Sequence, residues 1–234
     1  MLYLDKYNKV FENIHMDIEK CLKTFEKYDY LLFDFDGTVE DTGEGIITAS
    51  KYALEHFGIN ETRQEALDLF VGPPLDTVFP RYGFNTEQVL EAVLVFREYY
   101  WSEGWKSSYT YPGIKELLQR LKDAGKHLLI ATGKPEPLVE RIGNRDDILH
   151  YFEFMCGSYF EDGVGEVRTK KREVIKYIFE HFPIPEDKRS KTIMIGDRYS
   201  DIKGAQETGI DSCGVLWGYG TYEELSEAGA TYII

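Results

Sequence analysis

The sequence predicts an α/β fold built on a parallel sheet and carrying one helical insertion, and three observations predict it. Short apolar runs that read as buried strands recur at residues 30–33, 127–131, 152–156, 192–195, 212–216 and 232–234. Continuous apolar runs of this length suit strands covered on both faces. Helical patterns separate most of them, and strands alternating with helices argue for a parallel sheet with helices packed on it. Between Thr42 and Thr110 the alternation stops and helical periodicity fills the interval. A chain of 234 residues has room for one domain of ordinary α/β size, or such a core with a modest insertion.

Taken in order, residues 4–28 place Leu4, Tyr7, Phe11, Ile14, Ile18, Cys21 and Phe25 at alternating three and four spacings, one apolar stripe on a helix. Packing of that stripe against the domain is favoured over a two-helix oligomer contact. Within the insertion, Ile46, Ile47, Ala53, Leu54 and Phe57 fit one helix, Gly72-Pro73-Pro74 breaks the middle, and residues 89–100 form a longer apolar helix. Tyr111-Pro112-Gly113 then returns the chain to the core. Helical patterns follow at residues 113–124, 170–182, 200–208 and 222–228, and residues 160–167, with Gly163 and Gly165, read as a tight loop or small hairpin.

Composition narrows the function classes. With 41 acidic against 27 basic residues and a formal net charge of -14, the chain offers no general surface for nucleic-acid polymers or anionic membranes. A small anionic substrate would need a locally cationic pocket. Cys21, Cys156 and Cys213 are odd in number and far apart, which excludes a disulfide framework and a zinc-finger spacing and points to reduced cytoplasm. The five histidines form no ligand pattern, and neither a leader nor a membrane-spanning segment is expected.

The chemistry-bearing residues sit at predicted strand ends, where open parallel sheets bind ligands. Asp34-Phe35-Asp36-Gly37-Thr38 follows the run Leu31-Leu32-Phe33. Alternate residues of a strand share a face, so Asp34 and Asp36 can lean toward one pocket while Gly37 turns the chain away. One acid can then attack while its neighbour moves protons. Taken alone, the same pentapeptide also reads as a strand end with a turn and a helix cap. Thr132 ends a second strand before Gly133-Lys134-Pro135, so its hydroxyl and the next backbone N–H groups would face an anion at a helix start. Lys170 and Lys171 precede a helix, where an ammonium can neutralise charge on a phosphoryl oxygen. Gly196-Asp197-Arg198-Tyr199-Ser200-Asp201 follows another strand with acids suited to a hard divalent cation.

In this order the acid pair, Thr, Lys and second acid pair resemble the four motifs of the haloacid dehalogenase superfamily over residues 30–234. Lys171 fits the third motif better than Lys170, because Lys171-Arg172-Glu173-Val174-Ile175 is similar to the family's Lys-x-x-Val-Ile frame. Gly72-Pro73-Pro74-Leu75, Gly133-Lys134-Pro135, Gly196-Asp197-Arg198, Asp201-Ile202-Lys203-Gly204-Ala205 and Gly218-Tyr219-Gly220 look like its phosphoglycolate phosphatase-like or 5′-nucleotidase-like branch. The resemblance implies a Rossmannoid core at residues 30–41 and 111–234, an inserted four-helix-bundle cap at 42–110 and an amphipathic extension at 1–29 that is not usual for the fold. Gly133 stands where the family often has serine.

The activity implied is a Mg2+-dependent phosphatase acting on small phosphate monoesters through a phosphoaspartate. Asp34 would be nucleophile and Asp36 acid and base. Magnesium would be held by Asp34, the backbone carbonyl of Asp36, Asp197 and Asp201, and phosphoryl oxygens by Thr132 and Lys171. Gly37, Thr38, Gly133, Arg81 and Arg97 are the candidate substrate contacts. A phosphomutase of the same superfamily would use the same core positions, whereas a phosphoacceptor receiver module would be about half as long and would lack the insertion. The leaving group and the choice between monomer and homodimer stay open.

Overall fold

The computed structural model describes residues 16–158, 168 and 170–234. The apolar stripe before residue 16 and the hairpin expected at 160–167 lie outside the described residues. The first helix among the described residues is α1 (Ile18–Phe25), capped by Asp17, whose carboxylate accepts from Lys20 N at 2.9 Å. It buries Cys21 and Phe25, in line with packing of the stripe against the domain.

Six strands form one parallel sheet in the order β5-β4-β1-β6-β7-β8. They are β1 (Tyr30–Phe33), β4 (His127–Pro135), β5 (Phe154–Ser158), β6 (Thr192–Gly196), β7 (Asp211–Gly214) and β8 (Tyr232–Ile233). The helices between them are α6 (Ile114–Asp123), α7 (Glu136–Arg145), α8 (Lys171–His181), α9 (Tyr199–Thr208) and α10 (Tyr222–Ala228). Alternate residues serve opposite faces. Leu31, Phe33, Leu128, Ile130, Ile193 and Ile195 join Ile114, Leu117, Leu118 and Leu121 of α6 on one side. Tyr30, Leu32, Leu129, Ala131 and Met194 join Val174, Ile175 and Ile178 of α8 on the other. Burial on both faces is why these strands read as unbroken apolar runs.

The register aligns Phe33 with Ile130 on one neighbour and Ile195 on the other. The loops after β1, β4 and β6 therefore open side by side at the middle of the sheet, the place where a doubly covered sheet presents ligand-binding residues.

The insertion leaves and returns through a short antiparallel ribbon, β2 (Glu40–Asp41) paired with β3 (Tyr109–Thr110). The sequence predicts no strand there. Pairs of two residues are too short to display a period of two, and β2 consists of two acids, which are poor strand formers. Between the ribbon strands run α2 (Gly43–His56), α3 (Gln64–Asp68), α4 (Leu75–Val78) and α5 (Thr86–Ser102), with the Gly72-Pro73-Pro74 break falling between α3 and α4. They share an apolar cluster of their own, with Leu54, Leu67, Phe70 and Phe79 at its centre. A capping box in which Asn85 and Gln88 satisfy each other's backbone N–H starts α5.

Glu40 of the ribbon has no exposed surface. The Thr110 hydroxyl donates to its Oε1 at 2.5 Å. Burial pushes its pKa from 4.5 up to about 8, with Asp146 adding to the rise and the Thr110 hydrogen bond opposing it. The folded state thus keeps a proton that the unfolded chain releases, so stability from this group is greatest below the unfolded pKa and declines as pH rises toward the folded one. Glu40→Gln, a neutral isostere, is expected to gain stability relative to the parent as pH is raised from about 5 to about 9, by up to about 1.4 kcal/mol per pH unit. Urea unfolding at several pH values checks this; a difference independent of pH would contradict it.

Candidate active site

Asp34 leaves β1 with its backbone N–H on the carbonyl of Ile195 at 2.8 Å, continuing the ladder one residue past the strand. Its Oδ1 accepts from Phe35 N at 2.7 Å and pairs with Lys171 Nζ at 2.9 Å. Gly37 then takes φ +77, and a Cβ there would fall 2.3 Å from Asp197 Oδ2. Only glycine both adopts this turn without strain and lets the acid loop close on Asp197.

Lys171 opens α8 and reaches inward. Its Nζ lies 2.9 Å from Asp34, 2.8 Å from Asp201 and 2.8 Å from the Ala131 carbonyl oxygen that accepts from it. Burial works against the ammonium, yet Asp201 and Asp34 prevail and raise its pKa above that of an ordinary lysine. Lys170 stays exposed at the helix N-cap.

Asp197 and Asp201 have no exposed surface. Asp197 Oδ2 accepts from Tyr219 N at 2.8 Å, while its Oδ1 has no hydrogen-bond partner among the described residues. Burial raises the Asp197 pKa well above the usual carboxylate range, and Asp201 and Asp34 raise it further. Asp201 Oδ2 accepts from Arg198 N at 3.0 Å. Burial and the charge of Asp34 push its pKa up to about 7 in spite of Lys171. Ligand atoms of Asp34, Asp197 and Asp201 all lie within 4.8 Å of one another. Three buried carboxylates, one ammonium between two of them and an unpartnered oxygen on the third make a donor set of hard oxygens with negative charge to spare. That set fits a divalent cation such as magnesium.

Asp36 is built differently. Its carboxylate lies outside that cluster and instead meets Lys134 Nζ at 2.9 and 3.1 Å. Lys134 also donates to Tyr100 Oη of α5 at 2.9 Å. Lys134 and Tyr100 are not among the residues that the sequence singles out. A lysine between glycine and proline at a strand end, facing an acid loop, was the available signal; Tyr100 had none, because only the fold brings α5 to this place.

Thr132 is buried, and its Oγ1 accepts from Lys134 N at 3.2 Å. The expected helix start at Thr132 is displaced: β4 continues, with an irregularity in its pairing, to Pro135, and α7 begins at Glu136. Thr132 therefore caps no helix. Thr38 has no exposed surface, and its carbonyl accepts from Trp217 Nε1 at 3.0 Å. Gly133 is exposed with open space around it. Arg81 and Arg97 are exposed on the insertion.

The insertion is fastened to the core at several points. Arg198 Nη1 donates to the Val71 carbonyl at 2.9 Å, and its Nε meets Glu224 at the same distance. Gly72 lies so close that a Cβ would stand 2.1 Å from Arg198 Nη1. Arg141 donates to the Trp101 carbonyl at 2.9 Å.

The profile of the haloacid dehalogenase-like hydrolases matches residues 31–215. A 5′-nucleotidase from Pseudomonas aeruginosa is 35% identical over 200 residues, covering 85% of this chain and 87% of its own. The tyrosine-protein kinase PtkA of Mycobacterium tuberculosis is 32% identical over 209 residues, covering 89% of this chain and 69% of its own. A solved structure from Clostridium difficile described as a phosphatase superposes with a TM-score of 0.78 at 43% identity, covering 88% of this chain and 93% of its own.

Lys171→Met is expected to destabilise the metal-free protein by about 3–5 kcal/mol, because it leaves Asp34 and Asp201 buried without their cation. Urea denaturation without divalent ions measures this, and a loss of under about 1 kcal/mol would show that the ammonium does not hold the cluster together.

Proposed function

The chain belongs to the haloacid dehalogenase-like hydrolases, and from that membership we propose that it is a magnesium-dependent phosphatase of small phosphate monoesters working through a phosphoaspartate. The observation that carries this reading is the separation of the two loop carboxylates. Asp34 faces Lys171, Asp197 and Asp201, while Asp36, two residues on, faces Lys134.

In the proposed reaction Asp34 Oδ attacks phosphorus and the ester P–O bond breaks. Asp36 passes a proton to the departing oxygen, so an alcohol leaves rather than an alkoxide. In the second step Asp36 takes a proton from water as that water attacks the phosphorus of the phosphoaspartate, which returns Asp34 and releases inorganic phosphate. Lys171 would donate to phosphoryl oxygens from beside Asp34, and Thr132 would do so from β4. A magnesium ion held by Asp34, Asp197, Asp201 and the backbone carbonyl of Asp36 would supply positive charge against the phosphoryl group when bound. The unpartnered Asp197 oxygen and the excess of buried negative charge support that assignment.

The kinship to a 5′-nucleotidase places nucleoside monophosphates among the substrates to be tried, beside phosphoglycolate and sugar phosphates. No helix among the described residues is long and apolar enough to cross a membrane, and the acidic balance favours a small substrate over a nucleic-acid polymer.

The test is phosphate release from a panel of metabolite monoesters with and without magnesium, using the parent and Asp34→Asn. The parent is expected to release phosphate only with the metal, and Asp34→Asn to lose on the order of 10⁴-fold or more in kcat while remaining folded. Absence of magnesium-dependent release across the panel, or near-parental turnover by Asp34→Asn, would overturn the reading.

A further inference from the structure

We propose that Lys134 is the positioning residue for Asp36 and that Tyr100 of the insertion positions Lys134, so that the acid–base group is complete only with the insertion seated on the core. The inference rests on the phosphatase reading above and adds to it two residues and a role for the insertion.

Four observations carry it. Lys134 has 4% of its side chain exposed, against 29% for Asp36. An ammonium buried this deeply is retained only where its donors are satisfied. Its Nζ meets both Asp36 oxygens, at 2.9 and 3.1 Å, and the Tyr100 hydroxyl at 2.9 Å. Two acceptors on one carboxylate fix both the direction and the rotation of the Asp36 side chain. The Tyr100 ring also lies under the ammonium, 4.6 Å from Nζ to centroid, an arrangement that favours the cation.

Tyr100 is itself held. It stacks on Phe96 at 5.7 Å with the rings nearly parallel. A Cβ on Gly104 would come within 2.8 Å of the ring, so glycine there lets the ring lie here, and one on Gly45 would make a tight contact with it at 3.3 Å. The chain of contact thus runs from the insertion's packing to Tyr100, to Lys134 on the end of β4, and to Asp36 on the loop after β1. Arg198 on Val71 and Arg141 on Trp101 hold the same two parts of the molecule together independently of it.

The consequence is selective. Asp36 serves the first step only as a donor to the leaving oxygen, and an aryl ester such as p-nitrophenyl phosphate has a leaving group stable enough to depart without that proton. An alkyl ester such as β-glycerophosphate has not. Loss of Asp36 positioning therefore slows the first step for the alkyl ester alone, and the second step, in which Asp36 activates water, for both.

Lys134→Met and Tyr100→Phe test this with the two esters by rapid mixing. For Lys134→Met the expected result is a loss of about 10²-fold or more in kcat on β-glycerophosphate without a burst. On p-nitrophenyl phosphate it is a burst of close to one nitrophenolate per enzyme followed by slow turnover, with KM falling in parallel with kcat and kcat/KM little changed. Tyr100→Phe, which removes only a hydroxyl and keeps the packing, is expected to show the same pattern at roughly tenfold. Equal slowing of both esters without a burst, or parental behaviour of Tyr100→Phe, would overturn the inference. Failure of the parent to release phosphate from these esters and from every monoester of the metabolite panel, or near-parental hydrolysis by Asp34→Asn, would instead overturn the phosphatase reading.

Discussion

The buried ammonium of Lys171 is the interaction on which the rest of the site depends. Asp34 follows β1 and Asp201 lies in the first turn of α9, and each would repel the other in a medium that hardly screens charge. With Lys171 within 3 Å of both, their loops can stand side by side. The sheet makes the meeting possible, because β4 and β6 flank β1 and the lysine also ties its helix to the carbonyl of Ala131. Asp197 shares the cluster but not the lysine. Burial, and then the charges of Asp201 and Asp34, raise its pKa, and a divalent cation would oppose that rise.

The two aspartates of the first loop are neighbours in sequence and occupy different surroundings. Asp34 is drawn into the metal-type cluster by Lys171, and Asp36 is drawn out of it by Lys134. Positive φ at Gly37 lets the chain turn between the carboxylates and the rest of the loop. The different duties proposed for these two identical side chains rest on which lysine each one meets. The insertion takes part directly, since the second lysine shares its hydrogen bonds with Tyr100.

Much of the fold was legible because it is written locally. The run Leu31-Leu32-Phe33 is apolar because both faces of β1 are covered, and Asp34 and Asp36 mark its end because the chain there leaves the core. Gly196-Asp197 after β6 is legible for the same reason. Lys171 was separable from Lys170 by its place in a local frame. What stayed hidden depends on contacts distant in sequence. The pairing of Glu40 and Asp41 with Thr110 and Tyr109 joins segments at either end of the insertion, and nothing in two acidic residues announces a strand. Tyr100 is one aromatic among several on α5 until the fold sets its hydroxyl against Lys134. The extension of β4 beyond Thr132 was obscured because glycine and proline in Gly133-Lys134-Pro135 read as a strand terminator.

In the proposed reaction Asp34 becomes covalently phosphorylated during turnover. Borohydride added to the protein in the midst of hydrolysing a monoester reduces an aspartyl phosphate to homoserine, and peptide mass analysis locates the change. Homoserine is expected at position 34, absent without substrate and absent in Asp34→Asn. Active turnover with no reducible adduct, or an adduct at another residue, would contradict it.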